Sequence, residues 1–118
     1  MEVTFRDRLV VAEVGDGTVW RLEQDLLAVV DGEEILVPTG FHTDFSSIPR
    51  IVRSIIPVLG RQNKASVLHD ALYVTKIRTR AEADRIFLAA MRSSGVPLVK
   101  RSIMYVAVRI GGWVYWRR

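Results

Sequence analysis

The sequence predicts an α+β domain: N-terminal antiparallel β-hairpins followed by three to four packed helices. Three observations carry this. Apolar residues alternate with polar ones up to about residue 40 and then recur at helical spacing. Glycine–aspartate pairs sit between the early apolar runs, as hairpin turns require. Pro38, Pro49, Pro57 and Pro97 fall at the ends of segments and not inside them.

The first hairpin runs from Leu9 to Val14, turns at Gly15-Asp16-Gly17 and returns from Thr18 to Leu22. The second uses Leu26–Val30, Asp31-Gly32 and Ile35–Val37, where aspartate–glycine suits a turn with positive φ. Residues 41–50 read as a polar junction loop. Ser47-Ile48-Pro49 has the form of an N-cap with proline in the first turn, opening a short helix that Pro57 and Gly60 stop. The next helix covers 63–75. Ala65, Leu68, Ala71 and Leu72 form its apolar face, with Val67 and Val74 at the edge and Ser66, His69, Asp70 and Tyr73 opposite. Thr79-Arg80-Ala81-Glu82 fits a capping box and starts a helix with Ala83, Ile86, Phe87, Ala90 and Met91 as its apolar side. A last helix spans about 98–110, with Val99, Ile103, Val106 and Ile110 in one stripe, and Gly111-Gly112 breaks it.

The 118 residues suit a single domain, 1–118, able to bury a core without staples. Within it, 1–40 are β-hairpins, 41–50 the junction loop, 51–112 the helical part and 113–118 an aromatic, basic tail. No cysteine is present, which removes disulfides and thiolate metal sites. The charged N-terminus lacks the apolar run of a secretory signal. Lys100, Arg101 and Arg109 keep the last helix well short of the ~20 apolar residues of a membrane span.

The net charge of +4 conceals an asymmetry. Residues 1–50 hold ten acids and four bases, whereas 51–118 hold three acids and thirteen bases. The bases are scattered, which favours attraction between the halves or toward a neighbouring subunit over a polyanion partner. Nucleic acid, or another anionic surface met by the basic helical half, therefore ranks below protein as a partner.

Acids, hydroxyls and histidines gather at one place, Gly40–Arg50 with His69-Asp70. His42, Asp44 and His69 supply two imidazoles and a carboxylate, a sufficient ligand set for a divalent metal such as zinc, with Asp84 as a fourth donor. His69 and Asp70 lie about 100° apart on a helix and do not chelate one ion comfortably. No other cofactor is implied. A nucleophilic alternative uses Ser46 or Ser47 at a helix N-terminus, activated by His69 and oriented by Asp44 or Asp70; no nucleophile-elbow glycines flank it. The structural alternative has Asp44 capping the following helix. Asp84, at the rim of its helix's apolar face, suits the helix dipole and a pairing with an arginine from another helix. Trp113, Tyr115, Trp116, Arg117 and Arg118 have the composition of a partner-binding end, which also allows self-association; the alternative is that the tryptophans fold back on the core.

Val37-Pro38-x-Gly40-Phe41-x-Thr43-Asp44-Phe45-x-Ser47-x-Pro49-Arg50, Val67-Leu68-His69-Asp70-x-Leu72-Tyr73, Arg80-Ala81-Glu82-Ala83-Asp84-Arg85-Ile86-Phe87 and Met104-Tyr105-x-Ala107-Val108-Arg109 occur in that order. Over roughly residues 8–112 this set resembles a family of phage and prophage proteins classed as domain of unknown function thirteen fifty-three. The resemblance implies a gene among late structural or lysis genes and places the family's polar signature on Asp44, Ser47, His69, Asp70, Tyr73 and Asp84. His42 and the end after Gly112 lie outside that signature. It does not imply a reaction. The expected role is a small virion component of a tail or baseplate, assembled in the host cytoplasm. The alternative is a cell-envelope hydrolase centred on Asp44 and His69, with Ser47, Asp70 and Asp84 in the same polar group.

Overall fold

The computed structural model describes residues 1–15, 19–43 and 60–116. The expected short helix after Ser47, together with Asp44, Ser46, Ser47, Arg117 and Arg118, lies outside the described residues.

Two three-stranded antiparallel sheets form the N-terminal part. One has the order β1 (Val3–Phe5), β4 (Leu26–Val30), β5 (Glu33–Val37); the other has β2 (Val11–Val14), β3 (Val19–Leu22), β6 (His42–Thr43). Both expected hairpins are present, with Val14 opposite Val19 and Val30 opposite Glu33. Asp31 and Gly32 have φ of 48° and 84°, the double positive φ of a type I′ turn, whose twist matches the strands it joins. The two hairpins belong to different sheets, each completed by a strand the sequence pattern does not announce. β1 pairs antiparallel with β4. β6 takes His42 and Thr43 out of the expected junction loop and sets them opposite Arg21 and Trp20. A two-residue strand is too short to show an alternation, so its signal comes only from the partner.

Three longer helices follow: α1 (Asn63–Thr75), α2 (Arg80–Ser93) and α3 (Leu98–Gly111), then the single turn α4 (Trp113–Trp116). Lys76 ends α1 in the left-handed conformation. Thr79 caps α2 by accepting from the Glu82 N–H at 3.2 Å, the N-cap half of the expected capping box, and its hydroxyl donates to the Glu82 carboxylate at 2.9 Å.

The core combines the inward residues of β4 and β5 (Leu26, Ala28, Val30, Ile35, Val37) with the expected face of α2, where Ala83, Ile86, Phe87, Ala90 and Met91 are fully buried. Two helices depart from expectation. Residues Ala65 to Tyr73 of α1 are buried on every side, the polar face included, because α2, β6 and α4 all contact this helix. On α3 the apolar stripe faces outward: Val99, Ile103, Val106 and Ile110 are 72%, 49%, 52% and 72% exposed, while Met104 and Val108 are buried. A helical moment identifies an apolar face but not what that face meets. Arg78 reaches Glu33 across the two charge-biased halves at 2.7 Å.

Candidate functional site

Asp84 is the centre of the polar cluster. It stands in the second turn of α2, one face round from Phe87, and its side chain has no solvent exposure. Its Oδ1 meets His69 Nε2 at 2.7 Å and accepts from the Tyr73 hydroxyl at 2.7 Å. Its Oδ2 accepts from Arg109 Nη1 at 2.8 Å, with Arg80 Nη1 at 3.5 Å. The expected arginine from another helix is Arg109 of α3.

Helical spacing explains the convergence. His69 and Tyr73 are four residues apart on α1, so they project from one face one above the other. Arg80 and Asp84 have the same relation on α2. Arg80 also donates to the main-chain oxygens of Val108 at 3.0 Å and Arg109 at 3.1 Å. It thereby satisfies carbonyls at the C-terminal end of α3, where a cation also suits the helix dipole. Four side chains from three helices thus close on one carboxylate.

Aromatic rings hold the imidazole. The His69 ring lies between Tyr73, with centroids 4.3 Å apart, and Phe87, at 4.5 Å. Trp116 meets Tyr73 edge-on at 5.2 Å, and the Lys76 ammonium lies 5.6 Å from the Trp116 ring centre. Half-buried Trp116 therefore folds back on the core beside this cluster, as does Tyr115. Trp113 is half exposed. Gly112 permits the closure: a Cβ there would stand 2.6 Å from the Tyr73 hydroxyl oxygen and overlap the Val108 carbonyl oxygen.

Burial alone would raise the Asp84 carboxyl, but hydrogen bonds from His69 and Tyr73, the charge interaction with His69 and the Arg109 bond outweigh it and hold the group below the ordinary carboxylate range. Tyr73 moves the other way. Burial first, and then its bond to the Asp84 carboxylate, push the phenol far above its usual value. The neutral phenol is thus the form the fold selects. Tyr73→Phe is expected to cost about 1.5–3 kcal/mol by removing a donor to a charged group. The wild type should lose this contribution as pH rises above the ordinary tyrosine value, and the Phe variant should lack that alkaline dependence. Chemical denaturation across the alkaline range measures both.

The remaining expected residues separate. Asp70 is buried and accepts from the Thr43 hydroxyl of β6, tying α1 to the second sheet. It therefore serves a different partner from His69, as their angular offset requires. His42 is exposed, and its Nδ1 lies 2.7 Å from the Gly40 carbonyl oxygen. No three His, Asp or Glu side chains come together as a metal-ligand group among the described residues. Arg80 and Thr43 make contacts in this region that the sequence does not announce. The (i, i+4) spacing to Asp84 was available for Arg80, whereas Thr43 needed the pairing of β6.

The geometry defines a class: a small α+β domain whose helices close around a buried, fully hydrogen-bonded carboxylate. The chain belongs to the DUF1353 family, a protein family of unknown function, whose model matches residues 20–108. The uncharacterized protein y4jT of Sinorhizobium fredii (strain NBRC 101917 / NGR234) is 46% identical over 78 residues, covering 64% of this chain and 23% of that protein. The chain therefore spans less than a quarter of the length of that relative. No solved structure matches it. No helix among the described residues is long and apolar enough to cross a membrane.

Proposed function

We propose that this protein is a small component of a phage or prophage particle, docking on neighbouring tail or baseplate proteins through the outer face of α3. The observation that carries the docking role is the exposed stripe Val99, Ile103, Val106 and Ile110. These four residues follow a 4-3-4 spacing over about 16 Å of helix, the pattern by which one helix seats against another. The site in a phage particle rests on the family resemblance.

Charge defines the occupant. After Asp84 the chain contains seven bases and no acid, and at helical spacing Lys100 and Arg109 lie on either side of the stripe. A second copy would bring like charges together, whereas a different protein with an apolar helix and acidic margins complements this face. The saturated contacts of Asp84 support the same reading, because they give the polar cluster a locking role between helices.

Particles purified from a strain carrying the gene should contain the protein at a fixed copy number. Ile103→Lys with Val106→Lys should leave the fold intact, since both positions are exposed, and should weaken incorporation by roughly a hundredfold, the loss of two anchors at about 1.4 kcal/mol each. Absence of the wild-type protein from particles, or undiminished incorporation of the double variant, overturns the proposal.

One observation favours a second reading, that of a hydrolase. His69 Nε2 at 2.7 Å from Asp84 has the relation of a general base to its orienting carboxylate. This moves the orienting role from Asp44 or Asp70 to Asp84. Digestion of purified cell-wall material by the wild type, abolished in His69→Ala and with pH dependence altered in Asp84→Asn, would establish it. Absence of digestion by the wild type would end it.

A further inference from the structure

A cleft of about 720 Å³ opens where the first sheet meets the start of α1, away from Asp84. Phe5, Leu9 and Val11 give it an apolar wall, and Arg8, Arg61 and Lys64 bring three cations to it. Among the described residues no aspartate or glutamate lines it. We infer that this cleft binds a phosphate monoester carrying an apolar or aromatic body.

Four observations converge. The volume lies within the range of small-molecule sites, which are mostly apolar with a few polar groups that fix orientation. The three cations have no carboxylate partner among the described residues, although exposed ion pairs occur elsewhere, as between Arg6 and Glu34. Gly60, Arg61, Asn63 and Lys64 place the N-terminus of the thirteen-residue α1 at the cleft, and that end has neither an acid in its first turn nor a side-chain cap. No acid in its own first turn offsets its positive end, which adds to the field of the cations. Lastly, the Lys64 ammonium lies 5.8 Å from the Phe5 ring centre, so a cation and an aromatic face stand side by side, one suited to the phosphate and the other to the body of the ligand.

The opposite rim does not cancel this field. It is formed by Ser93 and Ser94 at the end of α2, where Ser93 donates its hydroxyl to the Ala90 oxygen and Arg61 donates to the Gly95 oxygen at 3.3 Å. The ligand could be a nucleotide or a short lipid phosphate, which share the same chemistry.

Amide NMR titration with phenyl phosphate tests the inference. Saturable shifts are expected at Phe5, Gly60, Arg61, Asn63 and Lys64. Binding should be roughly tenfold tighter than that of inorganic phosphate, which lacks the apolar body. Adenosine monophosphate and dihexanoyl phosphatidic acid, titrated in parallel, distinguish the two sources by which binds more tightly. Arg8→Gln and Lys64→Gln each remove a cation from the surface without touching the core, and each should weaken phenyl phosphate by roughly fivefold or more. No saturable shift with phenyl phosphate, shifts confined to other residues, equal affinity for inorganic phosphate, or unchanged affinity in both variants would overturn the inference. It does not depend on the α3 docking face.

Discussion

Asp84→Asn is expected to lower the stability of the domain by about 3–5 kcal/mol, the range for removing one partner from a buried ionic cluster. The wild-type carboxylate answers four side chains from three helices. An amide keeps the shape but presents one oxygen and two donors where two anionic oxygens stood, so Arg109 loses its counter-charge and His69 and Tyr73 lose a carboxylate partner. The acid dependence provides a second readout. Because the native carboxyl is held below its ordinary value, the unfolded chain binds this proton more readily than the folded one. The stabilisation is therefore complete above the ordinary carboxylate value of about 3.9 and is lost as pH falls through the depressed native value. Urea unfolding from neutral pH to about pH 2 should show that loss in the wild type, with its Asp84 part missing in the variant. Equal unfolding midpoints at neutral pH would mean that Asp84 does not lock the helices.

This result would also separate the two roles available to the cluster. Asp84→Asn in a locking network destabilises the protein strongly. In a catalytic pair it would leave a folded protein with altered pH dependence. The absence of solvent exposure at both His69 and Asp84 makes the first outcome the expected one.

How much of this was legible in the sequence depended on whether the cause of each feature was local. The strand pairing of both hairpins, the Asp31-Gly32 turn, the Thr79 N-cap and the apolar side of α2 follow from spacing and turn chemistry within a few residues, and each stands where the pattern put it. Asp84 could be read as a rim residue awaiting an arginine, since an acid beside an apolar face needs a partner. Which arginine answered it was not legible, because Arg109 arrives from a helix whose orientation depends on packing. The same cause hid the outward turn of the α3 stripe: Val99, Ile103, Val106 and Ile110 have the period of a core face, and only the assembled helices show that Met104 and Val108 take that place. Burial of the polar face of α1 follows similarly. His69, Asp70 and Tyr73 read as the polar face of the helix, and their burial shows only when Asp84 and Thr43 come from distant segments to pair with them.

Phe87→Ala carries the other large effect, about 3–5 kcal/mol. Phe87 is among the largest side chains with no exposure, and its ring forms one wall against His69. Truncation would leave a cavity beside the imidazole, so the cost comprises lost apolar burial and lost positioning of the His69 donor. The two contributions can be separated. Phe87→Leu restores most of the volume but no aromatic face, and should recover more than half of the lost stability if burial dominates. Combining Phe87→Ala with Asp84→Asn tests positioning, because residues joined through a shared neighbour do not act additively. If Phe87 acts partly by holding His69 against Asp84, the double variant should lose less than the two single variants added together, by about 0.5–3 kcal/mol. Strict additivity in urea unfolding would mean that Phe87 only fills space, and that the imidazole keeps its place through Tyr73 and its hydrogen bonds alone.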